Sequence, residues 1–65
     1  MTITLNGEPR ETAARTLAEL LDETGQAGAK VATAVNEGFV PAARRAETVL
    51  SPGDRVEIVA PRQGG

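Results

Sequence analysis

The beginning of the chain carries the pattern that most restricts its fold. Apolar side chains alternate with threonines over residues 1–5, which is the period of a strand with one buried face. Asn6-Gly7 follows directly, and this pair favours a type I′ turn because both central residues of that turn need a positive φ. We expect a second strand over residues 8–12, at a sheet edge because Pro9 cannot donate to a ladder. The sequence therefore predicts an N-terminal β-hairpin.

A short helix should follow the hairpin. Thr16 and Glu19 have the spacing of a capping box, in which the hydroxyl accepts from the Glu19 N–H and the carboxylate reaches back to the Thr16 N–H. Three leucines with helical spacing form an apolar stripe on one face: Leu17, Leu20 and Leu21. Gly25 is a suitable residue to end the helix. So short a helix is not stable alone, so we expect it to pack on a sheet.

The second half of the chain contains three further strand signals. Residues 31–35 alternate, and the turn Asn36-Glu37-Gly38 separates them from the short apolar pair Phe39-Val40. A turn over residues 51–54 precedes a last alternating strand over residues 55–60. The intervening polar residues should form one helical turn or an irregular segment.

This order of elements predicts a two-layer α+β fold, with a small mixed sheet of four to five strands packed by one helix. The expected core consists of Ile3, Leu5, Leu17, Leu20, Leu21, Val31, Val35, Leu50, Val56 and Ile58. We expect one domain over residues 1–60 and a flexible C-terminal tail over residues 61–65.

The tail ends in Gly64-Gly65, so its last group is expected to be an unhindered carboxylate that is ionised at neutral pH. Such a group becomes electrophilic only after activation, for example as an acyl-adenylate. Glycine has no Cβ, so a narrow channel can close around it. The plainer interpretation is a chance glycine pair at a frayed terminus.

The composition argues against several classes of function. The chain has no Cys and no His, so it lacks the thiolate and the commonest general base and metal ligand. A 65-residue domain can hold one thin core, which argues against an enclosed active site. The net charge of -2 and the single aromatic residue argue against nucleic-acid binding. No apolar run approaches the ~20 residues that span a membrane, and no signal-peptide pattern is present, so we expect a cytoplasmic protein.

Two groups of residues leave alternatives open. The acidic residues Glu19, Asp22 and Glu23 have a spacing that could serve a metal or acid/base site, but a solvated helix face is the favoured interpretation. Phe39 is either buried in the core or exposed in a patch that binds a partner.

The whole chain resembles the ubiquitin-like β-grasp sulfur carriers, and most closely the ThiS family of thiamin biosynthesis. The matching motifs are Ile3-Thr4-Leu5-Asn6-Gly7, Thr16-Leu17 with Leu20-Leu21, Ala34-Val35-Asn36-Glu37 with Val40-Pro41, Asp54-Arg55-Val56-Glu57-Ile58-Val59, and Gly64-Gly65. The polar segment Pro61-Arg62-Gln63 differs from the family, in which apolar residues commonly precede the glycines.

The resemblance implies a carrier that is acted on by partner enzymes and is not itself an enzyme. An E1-like activating enzyme would use ATP to adenylate Gly65, and a sulfur donor such as a cysteine desulfurase would convert the adenylate to a thiocarboxylate. The thiocarboxylate would give its sulfur to thiazole synthase. Gly64 would let the tail thread into its partners. The expected partner surface comprises Phe39, Val40, Val59 and Arg62; no catalytic residue, metal or bound cofactor is expected.

Two other functions remain open from the sequence. One is a related sulfur carrier that serves molybdopterin or another sulfur-containing metabolite. The other is a ubiquitin-like protein modifier or a passive interaction domain.

Overall fold

The structure is a computed structural model that describes residues 1–60. Its elements follow in the order β1 (Thr2–Leu5), β2 (Glu8–Glu11), α1 (Leu17–Glu23), β3 (Ala32–Val35), β4 (Gly38–Val40), a 3-10 helix (Ala42–Glu47) and β5 (Arg55–Val59). The five strands form one mixed sheet in the order β2-β1-β5-β3-β4. β1 and β5 are parallel, and the other neighbouring strands are antiparallel. The predicted α+β architecture is confirmed, whereas the tail predicted over residues 61–65 lies outside the described residues.

Two hairpins with two-residue turns build the two sides of the sheet. Asn6 and Gly7 have φ values of 51° and 86°, as a type I′ turn requires. The β3–β4 turn uses Asn36 and Glu37, with φ values of 50° and 73°. β2 forms one edge of the sheet, where Pro9 breaks no ladder. Both predicted turns are therefore present, and the second one holds a glutamate in a left-handed conformation.

The helix begins and ends at the predicted residues, but one part of the predicted capping box is wrong. The Glu19 N–H donates to Thr16 Oγ1 over 3.2 Å, and Gly25 has a φ of 78° just after the helix. The Glu19 carboxylate accepts from the Arg15 N–H at 2.7 Å and not from the Thr16 N–H. Thr16 itself has the extended backbone of an N-cap residue, with φ −127°, and forms an isolated bridge with Val49.

The core lies between α1 and one face of the sheet. Its buried apolar members are Ile3, Ala14, Leu17, Leu20, Leu21, Leu50, Val56 and Ile58. Three residues that were expected in the core, Leu5, Val31 and Val35, are half-buried and pack against it, because Leu5 and Val35 end their strands and Val31 precedes β3. Ala14 and the buried threonines at positions 12 and 33 were not predicted.

The segment that was predicted as one helical turn or irregular is the 3-10 helix that follows Pro41. Arg45 fastens this helix to the start of β3. Its Nη2 donates to the Val31 carbonyl oxygen over 2.7 Å, and its Nε donates to Thr33 Oγ1 over 3.0 Å. Within residues 1–60, no helix has the length and apolar character needed to cross a membrane.

Candidate functional site

The predicted reactive end of the chain lies just beyond the structure. Gly64, Gly65 and Arg62 are all outside the described residues, whereas the strand that leads to them is described in full. β5 lies in the middle of the sheet, between β1 and β3, and ends at Val59. The described part of the candidate site consists of the contacts that hold β5 and of the surface beside the end of this strand.

The β1 side of the last strand is held at two levels. Thr4 and Leu5 pair with Arg55 and Val56 in a parallel ladder. Beyond the ladder the Asn6 side chain takes over: its Oδ1 accepts from the Ile58 N–H at 2.9 Å, and its Nδ2 donates to the Ile58 carbonyl oxygen at 3.1 Å. The sequence assigned Asn6 only to the turn, so this second role was missed.

A second asparagine holds the beginning of the same strand. The Asn36 N–H donates to the Arg55 carbonyl oxygen at 2.7 Å, and Asn36 Oδ1 accepts from the Arg55 N–H at 2.9 Å. Asn36 Nδ2 also donates to Asp54 Oδ1 over 3.0 Å. The Asp54 carboxylate accepts from the Ser51 N–H as well. Hydrogen bonds to Asp54 therefore come from Asn36 in the β3–β4 turn and from Ser51 in the turn before β5.

The outer face of the sheet carries an exposed apolar surface beside the end of β5. Phe39 is 71% exposed and Val59 is 60% exposed. Phe39 pairs with Ala34, and Val59 pairs with Ala32, so all four side chains lie on the face away from the helix. We call this set, Ala32, Ala34, Phe39 and Val59, the apolar corner. Of the two alternatives for Phe39, the structure shows exposure.

Val40 does not share this surface. It pairs with Thr33, is half-buried and packs against the core, because successive residues of a strand point to opposite faces. It lines the edge groove next to β4, a space of about 440 Å³, which is also bordered by Phe39, Pro41, Arg44, Glu47 and Thr48. Phe39 and Val59 are thus the two residues of the expected partner surface that the structure brings to one face.

The polar contacts on the other side of the protein are structural in character. Thr2 Oγ1 and the N-terminal ammonium donate to Glu11, and these hydrogen bonds hold the pKa of Glu11 below its usual value. Hydrogen bonds from the Thr12 hydroxyl and from Arg10 likewise lower the pKa of Glu23. Among residues 1–60, no three Asp or Glu side chains are arranged to hold a metal ion.

Comparison with known proteins finds similarity to one family along nearly the whole chain. The model of the ThiS family matches residues 3–65. The sulfur carrier protein ThiS of Thermus thermophilus is 43% identical over 61 residues, which cover 94% of this chain and 95% of that protein.

Solved structures agree in fold. The crystal structure of a thiamine biosynthesis protein, ThiS, from Geobacter metallireducens matches with a TM-score of 0.83 at 29% identity, and the match covers 100% of both chains. An NMR structure of a thiamine biosynthesis protein from the same organism gives a TM-score of 0.80 at 28% identity over 100% of this chain and 88% of that one. The predicted ubiquitin-like β-grasp fold is confirmed, and the chain belongs to the ThiS family.

Proposed function

We propose that this protein is the sulfur carrier of thiamin thiazole formation, with Gly65 as the residue that bears the sulfur. The observation that carries the proposal is the family match, which runs from residue 3 to residue 65 and so includes the terminal glycine pair as well as the folded body. The described body supports it, because its central strand is the one that leads to the tail.

The chemistry would take place at the terminal carboxylate, in the sites of partner enzymes. The Gly65 carboxylate attacks the α-phosphate of ATP, pyrophosphate leaves, and an acyl-adenylate forms. Hydrosulfide, or the terminal sulfur of a donor's persulfide, then attacks the activated carbonyl carbon, and AMP leaves. Hydrosulfide gives the thiocarboxylate directly, whereas a persulfide gives an acyl disulfide that a thiol reductant cleaves to the thiocarboxylate. Gly64 has no Cβ, so the tail fits a narrow channel on the way to the reacting atoms. The thiocarboxylate finally passes its sulfur to thiazole synthase.

The folded body would be the part that partner enzymes bind, and it would not itself be a catalyst. The chain has no His and no Cys, so it holds neither the usual general base nor a thiol that could carry sulfur. ATP would be bound by the activating enzyme, with no cofactor held by the carrier itself. A cysteine desulfurase is the kind of donor that supplies the sulfur nucleophile.

The apolar corner is the surface that we propose for docking on the activating enzyme. Exposed aromatic and aliphatic side chains supply the apolar centre of an interface, and charged side chains belong to its rim. Phe39 and Val59 would form the centre, and the exposed ion pair between Arg55 Nη1 and Glu37 Oε2, at 3.3 Å, lies towards the other end of β5. Since Val59 is the last residue of β5, a partner seated there would be close to the end of the strand that precedes the tail.

Intact-mass measurement tests the proposed chemistry. The carrier is incubated with an E1-like activating enzyme, ATP and a sulfur source, and we expect the mass change that replacement of one oxygen by one sulfur produces. A variant that lacks Gly65 should show no exchange and should unfold at the same temperature as the parent, since a terminal residue contributes little packing. Absence of exchange in the parent would overturn the proposal.

The sulfur acceptor requires a separate experiment. The thiocarboxylate form is offered in turn to a thiazole synthase and to the large subunit of a molybdopterin synthase, and the loss of sulfur mass is followed. We expect transfer with the thiazole synthase. Transfer to the molybdopterin enzyme would identify a related carrier, and isopeptide-linked products with other proteins would identify a modifier.

A further inference from the structure

We infer that Asn6 is a positioning residue for the reactive tail, because its side chain makes the last hydrogen bonds that hold β5 from the β1 side, both of them to the Ile58 backbone. The inference rests on the proposed function, since it concerns how the folded body directs Gly65 into a partner site. It adds a role that turn formation alone does not require.

The geometry at Asn6 is that of an interrupted parallel ladder. The Asn6 N–H donates to the Val56 carbonyl oxygen at 2.9 Å, as the next residue of β1 would do. The backbone then turns away, since Asn6 has a φ of 51° and Gly7 a φ of 86°. In a continued parallel strand, the carbonyl of residue 6 would accept from the Ile58 N–H, and the N–H of residue 8 would donate to the Ile58 carbonyl.

The Asn6 side chain supplies both of the lost partners. Its Oδ1 lies 2.9 Å from the Ile58 nitrogen, and its Nδ2 lies 3.1 Å from the Ile58 oxygen. A carboxamide has the donor and acceptor of a peptide group, which makes asparagine suitable for this replacement. Aspartate offers only acceptors, and glycine offers no side-chain partner.

The other edge of β5 does not use these Ile58 groups. On the β3 side, Ala34 pairs with Glu57 and Ala32 pairs with Val59. Successive residues of a strand direct their N–H and C=O groups to opposite sides, so the groups of Ile58 point towards β1. In the part of the chain that the structure describes, the Asn6 amide is the group that binds both the Ile58 N–H and the Ile58 C=O. Ile58 is the last residue of β5 that is held from the β1 side, and Val59 is paired with Ala32 on the β3 side, so the Asn6 amide helps to fix the end of the strand that precedes the tail.

Loss of this anchor should affect capture of the tail more than its chemistry. A partner must bind the sheet face and receive Gly65 at the same time, so only some exit directions are productive. If the competent fraction falls, the apparent affinity falls by the same factor. Once the tail is seated, the carboxylate meets the same ATP. The expected signature is therefore a higher KM for the carrier at nearly unchanged kcat.

The test compares two glycine variants at equivalent turn positions. Asn6→Gly and Asn36→Gly both keep a positive-φ turn, and both remove an amide that binds β5, one near the tail and one at the opposite end. Asn6→Asp, which keeps the acceptor, enters the same assays as a milder change. Hydrogen exchange of the Ile58 amide, thermal unfolding and adenylation kinetics with the activating enzyme are measured for each.

We expect Ile58 amide exchange to be about tenfold faster in Asn6→Gly. The KM for adenylation should rise by about threefold or more, with kcat within about twofold of the parent. Asn36→Gly should leave KM unchanged at a similar loss of thermal stability. Equal KM changes in the two glycine variants, or faster Ile58 exchange without any change in KM, would overturn the inference. A parent protein that is not adenylated at all overturns the proposed function instead, and leaves the exchange result to report on the anchor itself.

Discussion

The Thr12 hydroxyl donates to Glu23 Oε1 over 2.6 Å and thereby joins the end of the first hairpin to the last turn of the helix. The same hydroxyl accepts from the buried Ala14 N–H at 3.0 Å. Arg10 binds the same carboxylate from β2, with its Nη2 3.0 Å from Glu23 Oε2. One buried threonine thus satisfies a backbone donor and holds the two layers of the fold together.

Replacement of Thr12 by valine should be costly although the shape of the side chain is nearly kept. Thr12→Val leaves the Ala14 N–H without its acceptor in the interior, which should lower the free energy of unfolding by about 1–3 kcal/mol. Urea unfolding measures the change. The matched control is Thr2→Val, which removes an exposed hydroxyl that binds Glu11 and should cost under about 0.5 kcal/mol. Equal losses in both variants would show that burial of the hydroxyl does not matter.

The lowered pKa values of Glu11 and Glu23 predict a loss of stability in acid. Both carboxylates bind protons less readily in the folded protein than in the unfolded chain, where glutamate titrates near about 4.3. Their contribution is therefore complete above that value and is lost as the pH falls through the lowered folded pKa values. We expect the urea concentration at the midpoint of unfolding to decrease once the pH is lowered below about 4. The fall should be smaller in Glu23→Gln, whereas Glu8→Gln, which removes an exposed charge, should behave as the parent.

The left-handed Glu37 should be a site where a single change stabilises the protein. Its φ of 73° is a conformation that glycine adopts without the steric cost of a Cβ. Glu37→Gly should raise the free energy of unfolding by about 0.5–1 kcal/mol, because the surface ion pair with Arg55 contributes little. Glu37→Gln keeps the backbone strain and removes the charge, so its stability should stay within about 0.5 kcal/mol of the parent. A stabilised Gln variant and an unchanged Gly variant would contradict this explanation.

Exposed Phe39 should matter for partner binding and not for folding. Phe39→Ser removes the largest side chain of the apolar corner, and we expect the KM for adenylation to rise about tenfold, as for a central interface residue. The thermal midpoint should not fall, since the ring contributes little to the core. Val49→Ser is the control, because Val49 is 70% exposed but lies outside the corner, before Leu50. Equal effects of the two variants on KM would argue for nonspecific loss of apolar surface.

The hairpins and the helix could be predicted because their signals are local. Asn6-Gly7 and Gly25 need positive φ values, and the Thr16 hydroxyl accepts from a helix N–H only three residues later, so neighbouring residues contain the information. The contact between Asn6 and Ile58 crosses 52 positions, and turn preferences do not indicate a partner so distant. The exposure of Phe39 could not be decided for the same reason. A strand's alternation defines two faces, but the sheet order decides which one the helix covers.

Buried threonines were missed because polar residues are ordinarily placed outside. Thr33 is only 1% exposed, yet its hydroxyl donates to the Val40 carbonyl oxygen and accepts from Arg45 Nε. Burial of such a group depends on these partners, which come from other elements. The sulfur-bearing role of Gly65 came from resemblance to a family and remains a prediction.

The strand that stands at the centre of the sheet is the last one in the sequence. The β1–β2 and β3–β4 hairpins each form between neighbouring residues, on a timescale of about 1–10 μs for such units, but they meet only through β5. Until β5 inserts, Val59 does not lie beside Ala32, the apolar corner is incomplete, and the chain before the tail has no defined direction. Insertion of β5 thus completes both the apolar corner and the strand that precedes the tail. An activating enzyme that requires both would leave incompletely folded carriers uncharged, so sulfur loading would serve as a quality check on folding.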